Sequence, residues 1–172
     1  MSRSQESAEI RGVLLPLQDG ELLLPNAAVC EVVSYRAPDA VSARAPEWLL
    51  GAFGWRNHAL PLIAFERLLG QAGGEIGHRA RVAIVNTLNG NDRLPYIGIL
   101  LRSAPHLVRV TESSIVPFAG DEPPPGMVAD RVIINGVDAL IPDLDALESA
   151  LSEFDLWVAA DRLRRGDVTH HQ

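Results

Sequence analysis

An all-β fold of small barrels or a sandwich, closed by one C-terminal helix, is what this sequence predicts. Three observations carry the prediction. Short apolar runs with two-residue alternation recur along the chain, and that period is a strand's. The dipeptides Asp19-Gly20, Asn89-Gly90 and Asn135-Gly136 punctuate them, and each tolerates the positive φ of a tight hairpin. Only the last segment carries a sustained helical period, and no βαβ rhythm appears, so a parallel sheet is not expected.

VLLPLQ (13–18) and ELLLP (21–25) read as a hairpin about Asp19-Gly20. AVCEVV alternates as a strand, which places Val29, Glu31 and Val33 on one face and Cys30 and Val32 on the other. Residues 36–47 are rich in proline and alanine and form a connection. GAFGW and HALPLIA make the next hairpin, and FERLLG follows as a short helix ended by Gly70. QAGGEIGH (71–78) reads as a flexible loop. RVAIVNTL and YIGILL pair across Asn89-Gly90, and HLVRV adds a strand with an extended piece after it. Three successive prolines exclude regular structure from DEPPPGM (121–127). A hairpin over 127–142 leads into 143–165, where Leu144, Leu147, Leu151, Phe154 and Val158 mark the apolar stripe of a helix. Asp143 stands at its N-cap, and Arg162, Arg164 and Arg165 suit its C-terminal dipole. The expected organisation is a tail over 1–10, one domain over 11–165 in two intertwined barrels, with the helix at 143–165, and a tail over 166–172.

The chain of 172 residues is long enough for a sizeable core. Its net charge of −7 argues against nucleic-acid binding. All 15 basic residues are arginines, which excludes Schiff-base and phosphate-loop lysines. Cys30 is the single cysteine, so neither an internal disulfide nor a multi-cysteine zinc site can form, and a small core residue is its simplest role. The polar start MSRSQESAEIRG lacks the apolar segment of a secretory signal, and no apolar run approaches a membrane span. A cytoplasmic protein is expected.

Residue patterns for catalysis are missing. His58, His78, His106, His170 and His171 have no metal-ligand spacing. No nucleophile elbow is present, the asparagines at 86–91 suit a turn better than a calcium cage, and Gly73-Gly74 lacks a phosphate loop's context. No cofactor, metal or catalytic residue is assigned. Attention falls instead on Trp55-Arg56-Asn57 at a hairpin tip. Turns favour small polar residues, whereas Trp and Arg are anchor residues of interfaces. The plainer alternative is an indole packed on the barrel and a guanidinium solvating a turn. For Gly51 a backbone role, a bulge or close approach, is the simpler reading.

The stretch LLGAFGWRNHALPLIAFERLLG resembles the signature of CheW-type coupling proteins, with Gly51, Trp55, Arg56, Leu60, Pro61, Leu62, Ile63, Leu69 and Gly70 in register. AVCEVVSY resembles the family's V-x-E-[IV] strand through Val29, Glu31 and Val32. YIGILLRSAPHLVRV from Gly98, and VIINGVDALIPDLDALES, resemble two later segments in the same order. The resemblance covers roughly residues 13–148. It implies two interlocked five-stranded SH3-like β-barrels and a non-catalytic adaptor that is monomeric outside arrays. Such proteins bridge the cytoplasmic tips of chemoreceptors to the regulatory domain of a chemotaxis-type histidine kinase. Arg56, with Trp55 and Asn57, inherits the receptor-binding position. Val29, Glu31 and Gly51 match the kinase-binding side.

Departures accompany the match. The N-L-R-G turn is here Gly54-Trp55-Arg56-Asn57, and Ala64 and Arg102 replace two usual aspartates. The changes suggest a divergent paralogue of a second chemosensory system, such as ChpC-type couplers of type IV pilus twitching motility. A fragment of the kinase's own regulatory domain shares the fold, but the N-terminal tail and the lack of a preceding ATP-binding region speak against it. A ligand-binding barrel or small enzyme with a pocket hidden from sequence is the alternative from another class. The adaptor predicts filled aliphatic barrels; the enzyme predicts a cleft with a perturbed titratable cluster.

Overall fold

A computed structural model describes residues 9–39, 45–88, 94–118, 120 and 126–152. In chain order the strands are β1 (Ile10–Pro16), β2 (Glu21–Pro25), β3 (Val29–Ser34), β4 (Leu49–Trp55), β5 (His58–Ile63), β6 (Arg81–Asn86), β7 (Tyr96–Leu101), β8 (His106–Val110), β9 (Ile115–Pro117), β10 (Val128–Ile134) and β11 (Val137–Pro142). The short helix α1 (Phe65–Leu68) follows β5, and α2 (144–152) follows β11. Ile115–Pro117, expected only as an extended piece after HLVRV, pairs with β10 as a strand. The Asn89-Gly90 turn, the proline run, the terminal histidines and the helix beyond 152 lie outside the described residues.

The strands form a six-stranded sheet, β8-β1-β2-β11-β10-β9, and a five-stranded one, β3-β6-β7-β5-β4. The first takes strands from both ends of the chain and the second is inserted between β2 and β8. Most pairings are antiparallel. Two short parallel contacts exist, β2 with β11 and β5 with β7, each over two residue pairs. No crossover helix is needed, because they join strands far apart in sequence at the sheet centres.

Three apolar layers result. Leu14, Leu23, Val132, Ile134 and Ala139 fill the first sheet's inner face, and Phe53, Leu60, Leu62, Val82 and Ile84 fill the second's. Between them lies a shared core built from Val13, Leu15, Leu22, Ile63, Phe65, Ile97, Ile99 and Leu101, with Leu144, Leu147 and Leu151 of α2. The α2 stripe is buried as its period predicts, and Asp143 Oδ1 accepts the Ala146 N–H at 3.0 Å, so it is the N-cap.

Two β-bulges change what alternation predicts. In β3 the pairing moves from Val29 opposite Val85 to Glu31 opposite Ile84, leaving Cys30 as an extra residue. One inserted residue reverses the face of everything beyond it. Val29 and Val32 therefore share the central core, while Val33 turns to the second barrel's interior, the side on which Ile84, the partner of Glu31, also lies. Cys30 is exposed, not a core residue. The same device in β4, between Leu49 and Gly51, makes Leu50 the extra residue.

A buried ion pair pins the point where the chain returns to the first sheet. Glu66 of α1 is wholly buried. Both of its carboxylate oxygens face Arg102, just beyond β7, with Arg102 Nε at 3.1 Å from Oε1 and Nη2 on Oε2. Oε1 also accepts the Gln18 N–H at 2.9 Å, and Arg102 donates its backbone N–H to Pro16 O at 3.0 Å. Gln18 Oε1 in turn accepts the Gly73 N–H at 2.8 Å, so the loop read as flexible is tied down there. The hydrogen bond to Glu66 is the largest influence on Arg102 and raises its pKa against the opposing effect of burial. A raised pKa contributes stability that is complete below arginine's ordinary range and is lost only as pH climbs through the raised value. Acid or mildly alkaline unfolding therefore does not start at Arg102.

Removing one partner leaves the other charge uncompensated. Glu66→Gln should cost about 2–4 kcal/mol, somewhat below a fully buried pair, because 18% of the Arg102 side chain is still exposed. The double variant Glu66→Leu/Arg102→Met should recover at least half of that loss. Urea unfolding of the parent and the two variants checks both statements, and a double variant no better than the single would contradict them.

Candidate functional site

The residues singled out at the hairpin tip do project from the second barrel. Trp55 pairs with His58 across β4 and β5, so Arg56 and Asn57 are the whole loop. Both have positive φ, 45° and 66°, as a type I′ turn requires. Asparagine adopts that region readily; arginine does so less often. Arg56 is thus held in a costly conformation with its side chain 70% exposed.

Glu31 supplies the restraint. Its Oε1 accepts from Trp55 Nε1 at 3.0 Å and faces Arg56 Nη2, also at 3.0 Å. The Arg56 guanidinium lies 5.0 Å from the indole centroid, within cation–π range. Trp55 continues into an aromatic cluster, stacked with His58 at 6.0 Å and edge-on to Tyr96 at 5.0 Å. Just below the tip Arg36 Nη2 donates to Gly54 O at 2.6 Å and covers the Phe53 ring at 4.4 Å. Sequence reasoning missed Arg36, His58 and Tyr96 as parts of this surface. The alternation of YIGILL placed Tyr96 in a strand, but nothing local shows that β7's first residue meets the tip of β4–β5.

Glu31, Trp55 and Arg56, assigned to two different partners on resemblance, thus form one contact. Val29 is not among them: it is half-buried against the shared core. Gly51 acts through its backbone, as expected. Its φ is 152°, and a Cβ there would overlap the carbonyl oxygen of Asp39 and press on Pro38. Asp39 makes two 2.9 Å backbone hydrogen bonds with Ala52, so Gly51 lets the 36–39 segment cover the outer edge of β4.

Among the described residues, no group of three or more His, Cys, Asp or Glu could hold a metal ion. None of their helices is long and apolar enough to cross a membrane. What the site offers is aromatic surface, one exposed cation and a carboxylate that orients both. Exposed Trp and Arg side chains are the types that serve as anchors in protein interfaces. The family model for the CheW-like domain matches residues 11–151, and the chain belongs to that family. No curated protein matches the sequence. Among solved structures the chain is similar to the scaffolding protein TtCheW from Thermoanaerobacter tengcongensis, with a TM-score of 0.63 and 18% identity over 77% of this chain and 88% of that one. At that identity the likeness speaks for the fold: two interlocked SH3-like barrels with a C-terminal helix. As a CheW-like protein the chain is a non-catalytic adaptor of the chemotaxis-coupling kind.

Two substitutions separate backbone from side-chain roles here. Gly51→Ala should lose more than about 2 kcal/mol through strain and overlap. Arg56→Gly relieves the positive φ and gives up a surface ion pair and an exposed cation–π contact, so stability should stay within about 1 kcal/mol of the parent. Thermal unfolding of both variants decides; an unperturbed Gly51→Ala would overturn the account of the β4 edge.

Proposed function

We propose that this protein couples chemoreceptors to a chemotaxis-type histidine kinase in a cytoplasmic array, with the β4–β5 tip as its receptor-facing surface. The observation that carries the reading is the Glu31–Trp55–Arg56 contact, because it spends strain and a carboxylate on holding an exposed Arg and Trp at a turn. In this reading Trp55, Arg56 and Asn57 meet the receptor's cytoplasmic tip. Of the kinase-facing set Val29, Glu31 and Gly51, only Glu31 offers a polar side chain, while Val29 and Gly51 shape the strands beside it. No cofactor takes part.

The altered positions give a physical basis for a divergent paralogue. Arg102 is neutralised by Glu66 here, so the pair belongs to the interior rather than to a partner. Service in a second chemosensory system, such as one controlling type IV pilus twitching motility, is the finer form of the proposal.

Titration of the full chain with the kinase regulatory domain, and separately with a receptor-tip fragment, tests it. Arg56→Glu should weaken receptor binding at least about tenfold, equivalent to about 1.4 kcal/mol, and leave kinase binding within about threefold. Glu31→Lys should weaken both, since it releases Trp55 and repels Arg56. Binding of neither partner by a folded parent protein would refute the coupling role.

A further inference from the structure

Beyond its pairing with β1, β8 has no strand neighbour among the described residues, and its outer edge lies beside a crowded cationic pair and an exposed leucine. Leu17 donates its N–H to Gly20 O at 3.0 Å, which fixes the phase of the β1–β2 ladder: Pro16 and Glu21 form a non-hydrogen-bonded pair, and the pairs alternate from there. Val13 consequently bonds towards β2, and Gly12 and Leu14 bond towards β8. In the β1–β8 register, Arg11 faces Arg109 and Val13 faces Leu107, and both are non-hydrogen-bonded pairs whose side chains sit closest, with Cα atoms about 4.5 Å apart. The backbone N–H and C=O of Leu107 and Arg109 therefore point away from β1. Arg109 O meets Ser114 Oγ at 3.3 Å; Leu107 has no such bond among the described residues.

Two arginines directly opposite one another disfavour the sheet, yet they stand together in a protein of net charge −7. Glu9 Oε2, 3.3 Å from Arg109 Nε, offsets only one of them, and the Arg109 side chain remains 82% exposed. Arg11 is exposed with no ion pair among the described residues. Two positions along the same face Leu107 is 75% exposed, the most exposed large apolar residue among those described. Two cations and an apolar side chain at strand spacing, beside free backbone groups, complement an extended segment with carboxylates two residues from an apolar side chain.

We propose that the β8 edge docks an extended acidic segment of another protein, which adds to the sheet as a further antiparallel or parallel strand. Main-chain bonds at Leu107 hold the segment, a carboxylate lies across Arg11 and Arg109, and an apolar side chain covers Leu107. This surface is separate from the β4–β5 tip and stands or falls independently of the coupling reading.

A capped seven-residue peptide with glutamate, valine and glutamate at its second, fourth and sixth positions and threonine at the odd ones is the probe, because residues two apart share a strand face; versions with glutamine or lysine in place of glutamate are the controls. Titrated into the full-length protein under NMR observation, it should shift the Leu107 and Arg109 amides most. The glutamine version should bind at least about tenfold more weakly. Arg11→Gln and Arg109→Gln should each cost the glutamate peptide a similar factor without lowering the melting temperature, since each removes a like-charge contact and the Glu9 pair lost with Arg109 is exposed and weak. Equal binding of the glutamine version, shifts centred elsewhere, or no binding at millimolar peptide would overturn the proposal. So would self-association by sedimentation that Leu107→Asp abolishes, because the edge would then be closed by a second copy.

Discussion

The ion pair between Glu66 and Arg102 is the constraint on which the joining of the two barrels depends. The second sheet is an insertion within the first, so the chain must leave the first sheet after β2 and re-enter it at β8. Arg102 stands at the re-entry, bonded through its backbone to Pro16 and through its side chain to Glu66. The same carboxylate receives the Gln18 N–H from the β1–β2 turn. One buried carboxyl group thus joins the turn of the first sheet, the helix after β5 and the exit of β7. Apolar burial supplies most of the cohesion of the shared core, but it is non-directional. The ion pair supplies direction, because a charge removed from water tolerates few other arrangements.

Much of this fold was legible because its strands are short and their turns are chemically explicit. Asn135-Gly136 has both residues at positive φ, 50° and 81°, as its hairpin demands. Leu144, Leu147 and Leu151 are buried at their helical spacing. What was illegible came from one-residue irregularities and long-range pairings. A bulge at Cys30 leaves no compositional mark, yet it sends Val29 and Glu31 to different layers. Glu66, in FERLLG, resembles any acidic residue in a first helical turn, and its burial depends on an arginine 36 positions away. The replacement of an aspartate by Arg102 was visible as a departure; its compensation was not.

The candidate site was legible in its parts but not in its unity. Trp55 and Arg56 stand out in sequence because turns seldom hold them, and Glu31 stands out through the resemblance. Their meeting requires the register of β3 on β6, of β6 on β7 and the parallel contact of β7 with β5. That relay spans the whole second sheet, and no spacing rule encodes it. Tyr96 enters by the same relay, as the first residue of β7.

The energetic contrast between the two glutamates explains how one chain can be both rigid and available for binding. Glu66 lies where solvent cannot compete, so its bonds are exchanged only on unfolding. Glu31 is half-exposed beside a guanidinium 70% exposed, where an ion pair is worth about 1 kcal/mol or less. Its bonds can be traded for those of a partner at little cost to the fold. The hairpin below the tip is fixed by stronger means: Phe53 in the barrel, Arg36 across it, and Asp39 against Gly51. A tip with weak internal bonds on a firmly held base can exchange contacts without moving its backbone. That is the mechanical requirement of the coupling surface we propose, and it follows from where two carboxylates sit relative to water.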